Sequence, residues 1–154
     1  AAKAEEKRKA EEAEKAKLAA IETVLICQSP KHSTDYTVIA LYSETADVIP
    51  FSSRGLFDEA LKFGAPMSKS ISSIEIRIPH YDKGFNINRQ NLKLSTAKTF
   101  RAGGEPFVMG YVDNCRVGSI TDYQKARNVV IKKVEADKKR REKAKQDAIK
   151  KQKI

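Results

Sequence analysis

The sequence has no tryptophan, two methionines, two histidines and two cysteines in 154 residues. There is no CxxC pair, and Cys27-x4-His32 is not a zinc-ligand spacing, so Cys27, His32, His80 and Cys115 do not compose a metal site. Neither GxxxxGK[ST] nor GxGxxG occurs, and Gly103-Gly104 reads as a turn rather than a phosphate loop. No run of 18 apolar residues exists, which excludes a membrane-spanning helix. Residues 1–20 lack an apolar h-region, so no signal peptide is expected there, and the start at Ala1 rather than Met fits a trimmed terminus. Two cysteines are too few for a disulfide scaffold. Both sit in apolar strand-like runs, where free buried thiols are expected, and a bond between them requires neighbouring strands.

Catalytic signatures are equally sparse. His80 beside Tyr81 and Asp82 resembles an acid–base cluster, but it falls in a turn-like loop with no nucleophile close in sequence. The acidic residues of the central segment are scattered. A non-enzyme without cofactor or metal is expected.

What the sequence does have is positive charge in one place. Residues 121–154 hold 13 Lys/Arg against 5 Asp/Glu, while the whole chain is +10. Residues 22–120 are nearly balanced, with 11 basic and 10 acidic side chains, and the first 21 residues contribute only +1. Such asymmetry is a statement about partners.

Thr121 and Gln124 have capping-box spacing. Tyr123, Ala126, Val130 and Val134 then recur every three or four residues, one apolar stripe about three turns long. After Val134 charge surrounds the helix, which stays helical through good helix formers and acid-first pairs such as Glu135 with Lys139. Residues 1–20 are Ala, Glu, Lys and one Arg, with Leu18 the only large apolar side chain: a helix with no core face. The expected organisation is a charged helical extension over 1–20, one core domain over 21–134 and a basic helical arm over 135–154.

Within the core, Thr23–Cys27 and Tyr36–Tyr42 are apolar on both sides and read as buried strands. Val48–Phe51 is a short strand whose Pro50 argues for an edge. A short helix is expected from Ser52 or Ser53 to Phe63, stopped by Gly64. Ile74, Ile76 and Ile78 alternate with polar residues in a half-buried strand. His80–Asn88 reads as a loop, Asn91–Ser95 and Pro106–Val112 as strands, 102–105 as a turn, and Asn114–Gly118 as a lead into the last helix. The fold class is therefore α+β: a small, mostly antiparallel sheet of five to six strands, OB-like or open, with one short internal helix between two charged terminal helices.

Two functions from different classes fit. One is a non-enzymatic DNA- or RNA-binding protein of weak sequence specificity. Its phosphate contacts would come from Lys132, Lys133, Lys138, Lys139, Arg140, Arg141, Lys143, Lys145, Lys150 and Lys151 on the basic helix. Arg77, Lys93, Arg89 and Arg101, interleaved with Phe85 and Phe100, would add a stacking platform. The other is a structural component of a virion or ribonucleoprotein whose terminal helices dock on protein partners. Either places the chain in the cytoplasm or inside such an assembly, with no membrane partner.

Overall fold

The computed structural model describes residues 2–57, 61–78, 83–98 and 107–151. Helix α1 spans Ala2–Ala19 and helix α2 spans Ile120–Lys151. Between them run β1 (Thr23–Gln28), β2 (Tyr36–Leu41), β3 (Thr45–Ser52), β4 (Gly55–Leu56) and β5 (Lys62–Lys69). They are followed by β6 (Ser73–Ile78), β7 (Lys83–Asn88), β8 (Lys93–Lys98) and β9 (Phe107–Val117).

The strands pair antiparallel in the order β2-β1-β9-β8-β7-β6-β5-β3, and β3 pairs back onto β2. Eight strands thus close into a barrel, with β4 as a short flap on β3. This corrects the expected five- to six-stranded, OB-like or open sheet. The two terminal helices do flank it.

The expected internal helix is also overturned. Ser53 and Arg54 form a turn, and Lys62 onward is strand. Leu56, Phe57 and Leu61 have helical spacing, but closing the ring requires a strand between β3 and β6. The expected loop 80–88 contains β7, whose Phe85 and Ile87 face the core at strand spacing. Gly84 and two asparagines hide that alternation in sequence. Pro50 is not on an edge: β3 pairs with β2 throughout, and on its other side with β5 up to Val48 and with β4 from Phe51. Pro50 lies where that second partner changes, a place where a missing N–H is tolerated. Asn114 to Val117 belong to β9 rather than to a lead-in loop. Residues 102–105 lie outside the described residues.

Two apolar layers result. Inside the barrel are Leu25, Cys27, Ile39, Leu41, Ala46, Val48, Ala65, Ile74, Ile76, Ile87 and Leu94. An eight-stranded barrel leaves an interior that side chains fill. Outside, Val24, Ile26, Val38, Ala40 and Ile49 pack against Tyr123, Ala126 and Val130 of α2, with Leu18 and Ile21 at the margin. That is why β1 and β2 are apolar on both faces. The wall away from the helices exposes Glu75, Arg77 and Lys93, the reverse of a lipid-facing barrel.

Cys27 and Cys115 stand directly opposite each other on β1 and β9 and are disulfide-bonded, with Cα atoms 3.9 Å apart. The expectation of free thiols is corrected: the condition of neighbouring strands is met. The bond joins residues 88 apart in sequence and ties the first strand to the last. Reduction by a dithiol is expected to lower the unfolding free energy by about 2–5 kcal/mol, because it releases a long loop in the unfolded chain. Urea midpoints with and without reductant measure this, and equal midpoints would show that the bond contributes nothing.

Candidate nucleic-acid interface

Helix α2 starts two residues earlier than Thr121 predicts as a cap. Ser119 is the cap: its Oγ accepts from Asp122 N at 3.2 Å, while Ser119 N donates to Asp122 Oδ2 at 2.9 Å. This reciprocal pair satisfies two orphan donors and holds the Asp122 carboxyl below its ordinary range. Gly118 joins β9 to the helix. A Cβ there would lie 3.0 Å from the Ile26 side chain and 3.1 Å from Asp122 Oδ2, so a larger residue requires those side chains to shift by a few tenths of an ångström.

The helix is then fixed from below by Asp47, which is 1% exposed. Tyr123 Oη donates to Asp47 Oδ2 at 2.7 Å and Tyr42 Oη to the same oxygen at 3.0 Å. Gly64 N donates to Oδ1 at 2.8 Å. Opposite Asp47, β5 carries an extra residue, and Gly64 adopts φ +69° there. The bulge leaves an N–H without a ladder partner, and the carboxylate takes it.

Lys17 Nζ lies 3.6 Å from Asp47 Oδ2 and over the Phe63 ring. Glu14 pairs with Arg127. The end of α1 is therefore seated against α2 and the barrel, although none of its residues is buried.

Only the first part of α2 packs. Tyr123, Ala126 and Val130 are buried, whereas residues 138–151 are exposed throughout. At 1.5 Å per residue those 14 residues extend about 20 Å. Lys132, Lys138, Lys139, Arg140, Arg141, Lys143, Lys145, Lys150 and Lys151 are exposed on α2, and Lys133 is half-buried there. Arg140 pairs with Asp137.

One alignment was not read from sequence. Lys125, Lys132, Lys139, Lys143 and Lys150 recur at intervals of seven, seven, four and seven, so they share one helix face. That face is opposite the stripe of Tyr123, Ala126 and Val130, and all five lysines are exposed. Glu135 and Asp147 flank the stripe at three- and four-residue spacing from its lysines, so it is positive in excess rather than free of carboxylates. Counting charge along the segment conceals this; measuring it against the apolar stripe reveals it.

The second group does not assemble as expected. Arg77 is on β6 and Lys93 on β8, with β7 between them. Their registers lie toward opposite ends of β7: Arg77 faces Gly84, whereas Lys93 lies beyond the Ile87–Leu94 pair. Arg89 is in the β7–β8 turn, where Nη1 donates to Ser70 O at 2.8 Å. Phe85 packs on the barrel interior. Arg101 and Phe100 lie outside the described residues. β6 is diametrically across the ring from β1, so Arg77 is on the far side from α2.

Comparison of the chain with protein families, curated proteins and solved structures gave no significant match in any of the three.

Burial, with the Asp47 charge as a further cause, pushes the Tyr42 hydroxyl up to about 12 from 10.0. Burial and the bond to Asp47 raise Tyr123 further. Because these folded-state values lie above the unfolded ones, the stability they contribute is complete below pH 10 and is lost as pH rises through about 12. Phenolate absorbance is expected to show two tyrosines ionising only together with unfolding, and Tyr42→Phe should flatten the alkaline loss of stability. Ser119→Ala should cost about 1 kcal/mol through loss of the cap, read as a lower unfolding midpoint.

Proposed function

We propose that this protein binds nucleic acid through α2 and acts as a binding protein rather than an enzyme, without cofactor or metal. The observation that carries this reading is the exposed lysine stripe. A packed, capped and clamped helix half presents Lys125 and Lys132, and the same face continues through Lys139, Lys143 and Lys150 beyond the barrel. The stripe extends about 38 Å along the helix axis. Cations on a held helix meet phosphates with little ordering cost, and phosphate contacts carry no sequence information. Weak sequence specificity and steep salt dependence follow.

Fluorescence anisotropy with labelled oligonucleotides over a series of salt concentrations tests this. Replacing Lys139, Lys143 and Lys150 by Gln should flatten the slope of log K against log salt. The expected change is about 2 for a single strand and about 3 for a duplex, from roughly 0.7 and 0.9 per phosphate contact. Wild-type protein that binds neither at low salt overturns the proposal.

A second reading has its own observation. α1 has no buried residue, and beside its end Phe63, Val130, Ile131 and Val134 line a groove of about 560 Å³. These features suit a component of a virion or ribonucleoprotein whose terminal helices dock on protein partners. Circular dichroism and sedimentation distinguish the two: ends that order with oligonucleotide favour the first, and ends that order only on association with protein favour the second. Both readings fit an assembled particle. The Cys27–Cys115 disulfide supports that location over the reducing cytoplasm.

A further inference from the structure

The outer wall beside the first turns of α2 carries a cross-strand row that the lysine stripe does not explain. In register across four strands stand Asn114 on β9, Gln28 on β1, Tyr36 on β2 and Phe51 on β3. They share the outer face with Ile26 and Val38, yet the row lies beyond the buried layer under α2. Tyr36 and Phe51 stack with ring centroids 4.9 Å apart and planes at 20°. Tyr36 is still 38% exposed.

These two rings and Gln28 form one side of a cleft of about 360 Å³, and Lys125 and Val129 of α2, with Arg116 of β9, help to line the rest. An adjoining hollow of about 390 Å³ shares Ile26, Gln28 and Arg116 and continues past Asn114. Gln28 Nε2 donates to Ser33 O at 2.9 Å, which fixes the amide. The carboxylate lining the cleft, Asp122, is engaged by Ser119 N and Oγ and lies near Arg116 and Lys125. The cleft therefore offers ring faces, amides and two cations.

We infer that this cleft is a subsite for the bases of a single-stranded nucleic acid, with Tyr36 as the stacking surface and Arg116 and Lys125 meeting the flanking phosphates. The inference rests on the proposed function and deepens it. A duplex keeps its base faces stacked and inaccessible, whereas a single strand offers them to an exposed ring. The size agrees: about 360 Å³ is near the lower end of ligand-site volumes and suits a base with its sugar. Lys125 belongs both to the cleft and to the lysine stripe, so one strand can contact both. This is the combination of stacking and cations anticipated around Phe85 and Phe100, assembled instead by β1, β2, β3 and α2.

The test uses the full chain and three probes of equal length: a labelled oligothymidylate, an oligomer carrying abasic sites in place of bases, and a duplex. Wild-type protein should prefer oligothymidylate to both of the others. Tyr36→Leu keeps an apolar side chain but removes the ring. It should weaken oligothymidylate binding about 5- to 150-fold and leave abasic binding unchanged. Phe51→Leu, on the neighbouring strand, should act in the same direction and decides the matter if Tyr36→Leu alters the unfolding midpoint. The Lys139, Lys143 and Lys150 to Gln variant should weaken both single-stranded probes together. Equal loss on both single-stranded probes in the two ring variants, no loss on either, or a wild-type preference for duplex overturns the base subsite while leaving phosphate binding in place. Absence of binding to every probe overturns the proposed function itself.

Discussion

A buried carboxylate governs how the parts of this molecule meet. Asp47 lies under the helices on the outer barrel wall, and its charge is tolerated because donors surround it: two tyrosine hydroxyls, a backbone N–H and the Lys17 ammonium. Each donor comes from a different piece of chain. Tyr42 follows β2, Gly64 is the bulge of β5, Tyr123 is in the first turn of α2 and Lys17 is near the end of α1. A buried charge stripped of partners costs several kcal/mol, so the four pieces are held to one geometry. Apolar packing between α2 and the wall would allow the helix to slide, whereas a hydroxyl 2.7 Å from one oxygen fixes its rotation and height. The direction in which the lysine stripe faces depends on that bond.

The helices and most strands were legible in the sequence because their periodicity is strong. Thr23–Cys27 and Tyr36–Tyr42 announced strands covered on both sides, and the stripe from Tyr123 to Val134 announced a packed half-helix, although burial stops at Val130 and Val134 is 61% exposed. The misreadings share a physical cause. β5 carries Gly64 and Pro66 and buries Ala65 as its small inward residue, so it has little strand signal of its own. Its place is dictated by closure between β3 and β6. β7 was hidden by Gly84, Asn86 and Asn88, which surround its two apolar residues Phe85 and Ile87. Barrel closure is a non-local property, and so is the pairing of Cys27 with Cys115, which depends on the first and last strands becoming neighbours. The basic helix was found by composition, but the cleft at Tyr36 and Phe51 was not, because its residues are scattered from 26 to 129 in sequence.

The two halves of α2 have different tasks. The first is capped, clamped and partly buried, and it supplies one wall of the aromatic cleft. The second has no packing role, and its cations surround the helix axis. Anchoring one half gives the other a defined direction from the barrel, so the charge acts as a rod instead of a flexible tail. The exposed barrel wall at β6 to β8 carries both signs of charge, with Glu75 beside Arg77, and so offers no comparable field.

The seam between β1 and β9 also sets an order of events during synthesis. β1 can pair with β2 as soon as both emerge, but its other edge waits for β9, more than eighty residues later. Until then the growing sheet has two open edges, at β1 and at the last strand made, each able to pair with another chain. Closure depends on contacts of long sequence separation, which form slowly. α2 follows β9 after only Gly118 and Ser119, and its Tyr123 needs Asp47 already in place. A ribosome must therefore deliver β9 before the barrel can shut, and the basic helix takes its fixed bearing only after that closure.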